Sequence, residues 1–137
     1  MLLDKELVLS DAQAITEDAA SAFYINTQAA GRAIDELWLV VQVHTTFDTA
    51  AEGGTLIISL RTAAAAAGGE LTSPTTLFIS ATFTEAVLVE GYRALTMKLP
   101  PGLLQYIDLY YDENDGDSFT AGKLDAFLTP TPDGLGY

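Results

Sequence analysis

The sequence predicts an all-β domain, and three observations carry this prediction. Apolar and polar residues alternate over at least six separate runs, turn-forming residues separate these runs, and helical patterns are weak. Period-2 alternation places every second side chain on one face of a strand, as in antiparallel sheets with one buried face. Eight or nine short strands of this kind are typical of a β-sandwich or a barrel.

Six runs show the clearest alternation. The residues that share one face in each run are, in chain order, Leu37, Leu39, Val41 and Val43; Leu56, Ile58 and Leu60; Leu77, Ile79 and Phe83; Leu95, Met97 and Leu99; Ile107, Leu109 and Tyr111; and Leu124, Ala126 and Leu128. Weaker strands are predicted near residues 12–16, 22–27 and 85–90. We expect a core that includes Leu39, Val41, Ile58, Ile79, Leu95, Met97, Ile107, Leu109 and Leu128.

Two alanine-containing segments are the candidates for helix. Residues 62–70 are rich in alanine, but two glycines end the run and it lacks an amphipathic pattern, so we expect a mobile loop or a single helical turn. Residues 29–38 are a second candidate for one helical turn before the strand at Trp38.

Carboxylates crowd residues 112–117. An EF-hand register fails here, because Gly116 at position 6 would place Tyr111 at position 1 and a glycine at position 12. The Asn-Asp-Gly sequence at 114–116 instead predicts a solvated hairpin loop between strands at 104–112 and 122–128. A loose calcium site built from Asp112, Asp115 and Asp117 remains the alternative.

Composition limits the class of protein. A chain of 137 residues with 49% apolar and 18% charged residues predicts one globular domain, residues 1–137. The absence of cysteine excludes disulfides and thiolate metal sites. With 19 acidic and 6 basic residues the net charge is −13, which disfavours direct nucleic-acid binding and suits a basic protein partner or simple solubility. No apolar run is long enough for a membrane span or a signal peptide, so we expect synthesis in the cytoplasm.

The sequence contains no recognisable catalytic constellation. His44 is the sole histidine, and no G-x-S-x-G, HExxH or phosphate-binding glycine loop accompanies it. We therefore expect a surface or interface histidine, no enzymatic activity, no cofactor and no tightly bound metal.

Two groups of residues are candidate contacts with a partner or within an oligomer. The first is an apolar N-terminal arm, residues 1–10, with Leu2, Leu3, Leu7 and Leu9; it lies across a neighbouring subunit or covers the domain's own core. The second is a row predicted to be exposed on one strand, Tyr106, Asp108 and Tyr110, which suits a protein interface or stacking on sugar rings. A tail with two prolines, residues 129–137, follows the last strand.

Five segments of the chain resemble the capsid cement (decoration) proteins of tailed bacteriophages, of the kind described from a short-tailed Bordetella phage. They are LLDKELVLSDAQAIT (2–16), LWLVVQV (37–43), SPTTLF (73–78), GYRALTMKLPPGLLQYIDLYY (91–111) and FTAGKLDAFL (119–128). The chain departs from the resemblance at residues 48–55 and 61–73, where it is longer and richer in alanine.

The resemblance implies a jelly-roll sandwich of two antiparallel sheets on the outside of an icosahedral virion. The expected partners are the major capsid protein, whose neighbouring subunits it would clamp, and further copies of the chain, as a homodimer or a homotrimer. Neither nucleic acid nor membrane is an expected partner. The alternative function is a carbohydrate-binding jelly-roll module of a phage adhesin. A glycosidase would additionally need two carboxyl groups that converge in a cleft.

Overall fold

The computed structural model describes residues 7–26, 37–49, 54–100, 103–114 and 119–129. In these ranges the chain forms twelve strands and a short 3-10 turn at Glu85–Val87. The strands are β1 (Val8–Ala14), β2 (Ala19–Ala20), β3 (Ile25–Asn26), β4 (Trp38–Thr49), β5 (Thr55–Ala63), β6 (Ala65–Ala67), β7 (Glu70–Thr72), β8 (Thr75–Ile79), β9 (Phe83–Thr84), β10 (Arg93–Lys98), β11 (Tyr106–Asn114) and β12 (Phe119–Thr129).

Two antiparallel sheets make up most of the domain. Sheet A has the strand order β1-β12-β4-β10. Sheet B has the order β2-β11-β5-β8, with β3 also pairing with β11 and β9 also pairing with β5. The chain crosses from one sheet to the other at six connections: β1 to β2, β3 to β4, β4 to β5, β9 to β10, β10 to β11 and β11 to β12. Strands β6 and β7 form a separate hairpin.

One apolar cluster joins the inner faces of the two sheets. Sheet A contributes residues such as Leu39, Val41 and Leu128, and sheet B contributes Ile58, Ile107 and Leu109. All six were predicted core positions, and each is buried. Leu95 and Met97, on the edge strand β10, are half-buried and pack against the same cluster. The prediction of one all-β domain with two antiparallel sheets is confirmed.

The core prediction for Ile79 is wrong. Its side chain is 63% exposed, whereas the adjacent Phe78 packs against the core. The pairing of β8 with β5 shifts register between Leu60 and Arg61, which leaves one extra residue, Leu77, in β8. An extra residue moves the following side chains to the opposite face of the sheet, because side chains in a strand alternate with a period of two.

Two predicted local structures are also wrong. Residues 62–70 form neither a loop nor a helical turn, but the end of β5 and a β6–β7 hairpin closed by Gly68 and Gly69. Both glycines have positive φ, as a two-residue type I′ hairpin turn requires. The segment 85–90 is not a strand: it contains the 3-10 turn Glu85–Val87 and the irregular chain that follows it. The possible turn at 29–38 falls mostly outside the described residues.

The predicted hairpin between the last two strands is wrong as well. Strand β11 pairs with β2, β3 and β5, and strand β12 pairs with β1 and β4, so the two strands belong to different sheets. The loop between them therefore passes from sheet B to sheet A. Residues 115–118 of this loop lie outside the described residues.

Candidate interaction surfaces

The described part of the N-terminal arm belongs to the domain itself. Residues 8–10 form the start of β1, Leu7 packs against the core, and Leu9 is completely buried in it. The backbone carbonyl of Leu9 also accepts a hydrogen bond from the Phe23 N–H at 3.0 Å. The side chain of Leu9 is therefore unavailable to a partner, which corrects the contact predicted there. Leu2 and Leu3 lie outside the described residues.

A network of side-chain hydrogen bonds, centred on a buried bond between Ser10 and Tyr111, ties β1 to sheet B. Ser10 Oγ donates to Gln13 Oε1 at 2.6 Å, so the Tyr111 hydroxyl donates to Ser10 Oγ at 2.7 Å. Gln13 also accepts a bond from the Ala22 N–H and donates one to the Ala20 carbonyl. Because the two sheets meet here through paired polar groups, we call this edge of the sandwich, built from β1, β2 and β11, the closed side.

Burial of Tyr111 has an electrostatic consequence. Loss of water around the phenol raises the pKa of Tyr111 above its ordinary value. The nearby carboxylates of Asp108 and Asp125 raise the pKa of Tyr111 further. The hydroxyl is therefore held in its protonated form, which is the form that donates to Ser10.

The row Tyr106, Asp108 and Tyr110 differs from the exposed row that was predicted. Asp108 is only 2% exposed, because β5 places Arg61 directly opposite it in the sheet. Arg61 Nε and Nη2 donate to the two carboxylate oxygens of Asp108 at 2.9 and 2.7 Å. The prediction of an exposed Asp108 is wrong, and this bidentate ion pair is the physical reason.

Both tyrosines of the row are half-buried, and other side chains of the protein contact their rings. The Arg61 guanidinium carbon lies 4.9 Å from the centre of the Tyr110 ring, a cation–π arrangement. Tyr24 packs edge to face on Tyr106, with 5.4 Å between ring centres. The hydrogen bond to Asp108 raises the pKa of Arg61, against the opposing effect of its partial burial. Tyr106 and Tyr110 stay candidate contacts, but they do not form an open aromatic platform.

The strand carboxylates Asp108 and Asp125 do not form a pair. Asp108 belongs to β11 of sheet B and is bound by Arg61, whereas Asp125 belongs to β12 of sheet A. Asp125 Oδ1 accepts a hydrogen bond from the Ala12 N–H at 2.7 Å, where Ala12 has a left-handed backbone with φ of 49°. Each carboxylate thus makes its polar contact with a neighbouring strand of its own sheet.

The remaining candidate groups are separate from one another. His44 is exposed, and its Nδ1 lies 2.9 Å from Thr45 Oγ1. Partial burial and the neighbouring Asp18 raise the pKa of Asp112, and Asp18 also accepts the Glu113 N–H at 2.7 Å. Asp115 and Asp117 lie outside the described residues. Among the described residues, no three metal-ligating side chains come together.

A surface that the sequence reasoning missed lies opposite the closed side. Residues 75–98, here called the β8–β10 side, run along the edge of β5 and then cross to the edge of β4. Four of the six large apolar side chains that are exposed in the described structure belong to it: Ile79, Val87, Val89 and Tyr92. A signal was present in the sequence, since residues 71–84 contain no charged residue at all.

The part of the chain that the structure describes includes no helix long and apolar enough to cross a bilayer.

Among curated proteins, none matches this chain. Residues 9–128 match the protein family Bbp16, a family of Bordetella phage proteins. This match covers nearly the whole chain, from β1 to the end of β12. The protein therefore belongs to the Bbp16 family of phage proteins.

Proposed function

We propose that the protein is a structural virion protein of the cement or decoration type. It binds the outer surface of an icosahedral phage capsid, clamps neighbouring subunits of the major capsid protein, and so stabilises the DNA-filled head. The observation that carries the proposal is the family match over residues 9–128, together with the segments that resemble phage cement proteins. The protein would be made in the host cytoplasm and would act on the capsid exterior without catalysis or cofactor.

The strand order supports a jelly roll for this domain. Each sheet has four strand positions, and the chain repeatedly passes from one sheet to the other rather than completing one sheet first. Paired four-stranded sheets joined by such crossings are the arrangement of a jelly roll, which occurs widely in viral capsid proteins. A rigid sandwich of this kind can hold its loops and edges at fixed positions over a capsid lattice.

The charge of the protein supports a basic docking surface on the capsid. The chain carries a net charge of −13, so a rim of lysine and arginine side chains on the capsid protein would attract it during encounter. Each contact can be modest, because repetition over a closed lattice multiplies their effect. Added salt should weaken the encounter, since it screens charges that remain exposed to solvent.

The carbohydrate-binding alternative has weaker support. Stacking on a sugar ring needs an accessible aromatic face, but Arg61 lies over the Tyr110 ring and Tyr24 packs against Tyr106. The carboxylate that would hydrogen-bond sugar hydroxyls in the same row is already bound by Arg61.

Phage heads assembled without this protein provide the direct test. Purified protein added to such heads should co-sediment with them and reach a saturating number of copies, and a reconstruction of the particles should show it on the outer surface. Binding should weaken as salt is raised. A protein that leaves heads bare at low salt, and instead binds glycans as an isolated domain, would overturn the proposal.

The N-terminal arm can be tested in the same assay. Deletion of residues 2–9 is unsuitable, because it would remove Leu9 from the core and shorten β1. Deletion of residues 2–6 spares both, so the truncated domain should stay folded and bind heads less tightly. A matched variant with Leu2→Ser and Leu3→Ser keeps the charges of the arm and should reproduce the loss. Unchanged binding by both variants would exclude the arm from the capsid contact.

A further inference from the structure

The β8–β10 side begins with a long, uncharged strand edge. Strand β8, then Ser80, then β9 follow one another along the same edge of β5, with pairings from Thr62↔Thr75 to Thr55↔Thr84. The Ser80 N–H donates to the Ile58 carbonyl at 2.8 Å, so the edge continues between the two strands. In the described ranges β8 pairs with another strand on one side only. An edge strand presents backbone N–H and C=O groups to any further strand that approaches it.

The charge of this side differs from that of the rest of the molecule. Residues 75–98 contain two acidic residues, Glu85 and Glu90, and two basic residues, Arg93 and Lys98, so their formal charge is zero. The whole chain has a net charge of −13, all of which therefore lies elsewhere. Glu85 is moreover turned toward β4, where the N–H and the hydroxyl of Thr49 donate to its two oxygens at 2.8 Å each.

This charge distribution favours one kind of partner. Two copies of a strongly acidic protein repel each other wherever their acidic surfaces meet. On the neutral β8–β10 side that repulsion is smallest, and the exposed Ile79 and Val89 side chains gain from leaving water. A basic partner would gain nothing from this neutral surface and would bind the acidic surfaces instead.

Of the two strand edges on this side, β8 is the better one for self-pairing. The other edge strand, β10, begins at Arg93 and ends at Lys98. Antiparallel pairing of β10 with its own copy would bring those like charges opposite each other, which destabilises a strand pair. Pairing of β8 with its own copy would bring only uncharged residues together, because Thr75–Ile79 contains threonine, leucine, phenylalanine and isoleucine.

We propose that the β8–β10 side is the surface through which a second copy of this chain docks. The two copies meet antiparallel about a twofold axis, β8 beside β8, so that sheet B continues through both, with Ile79 and Val89 contributing apolar contact. This assignment rests on the proposed cement role, for which the resemblance to cement proteins implies a homo-oligomer, and goes beyond it by naming the surface.

The test is a comparison of two double variants that add the same charge. Ile79→Glu with Val89→Glu places acidic groups on the β8–β10 side. Phe23→Glu with Leu104→Glu places them at positions of similar exposure elsewhere, since Val89 and Leu104 are both 46% exposed. Sedimentation equilibrium over a concentration series measures the dimer Kd of each protein, and circular dichroism checks the fold.

The wild-type protein should be a dimer, the β8–β10 variant should bind its copy at least roughly tenfold more weakly, and the control variant should resemble wild type. Backbone amides of β8 should also exchange hydrogen more slowly above the dimer Kd than below it. A dimer that survives in the β8–β10 variant, or is lost equally in the control, overturns the assignment. A monomeric wild type that still decorates heads overturns the docking surface and leaves the capsid role standing. A dimer that depends on the β8–β10 side but leaves heads bare supports the docking surface and overturns the capsid role.

Discussion

The two long sides of the sandwich are built in opposite ways. On the closed side, Ser10, Gln13 and Tyr111 join β1 to sheet B through side-chain hydrogen bonds, and Leu9 fills the core beside them. On the β8–β10 side, the chain crosses between the sheets with apolar side chains turned outward, and the formal net charge of residues 75–98 is zero. Folding of a single copy accounts for the hydrogen-bond network and the buried Leu9 of the closed side. It does not account for the exposed apolar residues of the other side, which suggests that contact with another molecule shapes that surface.

Removal of one apolar side chain on each side should expose this difference most strongly. Leu9→Ala should lower the free energy of unfolding by about 2–5 kcal/mol, because it leaves a cavity in the core. Ile79→Ala should change it by less than about 0.5 kcal/mol in dilute protein, because that side chain is already largely in water. Urea unfolding of dilute protein measures both. Equal losses for the two variants would contradict the distinction between the sides.

The ion pair between Arg61 and Asp108 lies outside the apolar core. Its removal tests whether this part of sheet B contributes to the stability of the fold. Arg61→Met leaves a carboxylate buried without its partner and should lower stability by about 2–3 kcal/mol. This is less than for a fully buried pair, since Arg61 keeps some exposure. Combining Arg61→Met with Asp108→Leu should restore most of the loss, as measured by urea unfolding. A loss confined to capsid binding, with stability intact, would instead assign the pair to partner recognition.

Tyr111→Phe tests the polar network of the closed side. Loss of the hydroxyl should lower stability by about 1 kcal/mol at pH 7. Because burial raises the pKa of Tyr111 in the folded protein, the unfolded chain ionises first, from pH about 10 upward. The stability due to this group is therefore complete below that pH and is lost as pH rises, by up to about 1.4 kcal/mol per pH unit.

Unfolding of wild type and Tyr111→Phe between pH 8 and pH 11.5 should thus show a steeper alkaline decline for wild type. Parallel declines would mean that the hydroxyl of Tyr111 is no harder to ionise in the folded protein than in the unfolded chain.

The smallest effect is expected for Val87→Ser. Val87 is partly exposed on the β8–β10 side, in the 3-10 turn between β9 and β10. The substitution should change the unfolding free energy by less than about 0.5 kcal/mol and weaken the proposed dimer only a few-fold. Sedimentation equilibrium and urea unfolding on the same samples separate the two effects. A large loss of stability would show that Val87 serves the fold of the monomer.

The sequence patterns predicted the strands and most of the core, and the exceptions have physical causes. Alternation alone places Leu39, Val41, Ile107 and Leu109 correctly, because their strands pair without interruption at those positions. It fails at Ile79, since a bulge in β8, where that strand pairs with β5, reverses which side chains face inward. No period in the sequence of β8 reveals the bulge. The Gly-Gly pair at 68–69, by contrast, was a readable hairpin signal that the alanine run obscured.

The candidate contacts were harder to predict because they depend on residues far apart in the chain. Asp108 looked exposed from the spacing of its own strand, but its partner Arg61 comes from β5, at a register that only the folded sheet defines. Leu9 looked like part of a flexible arm, whereas pairing of β1 with β12 brings it into the core. The charge-poor stretch that marks the β8–β10 side was visible in the sequence, yet its position along a sheet edge was not.

The glycine pair that closes the β6–β7 hairpin has a consequence for how this protein can change. A methyl group added to Gly68 or Gly69 would meet no other atom, so the tip of the hairpin points into open space. Lengthening a loop at such a tip adds little chain-closure entropy and disturbs no packed residue. The tip is therefore a place where evolution or an engineer can add sequence while the sandwich below keeps its structure.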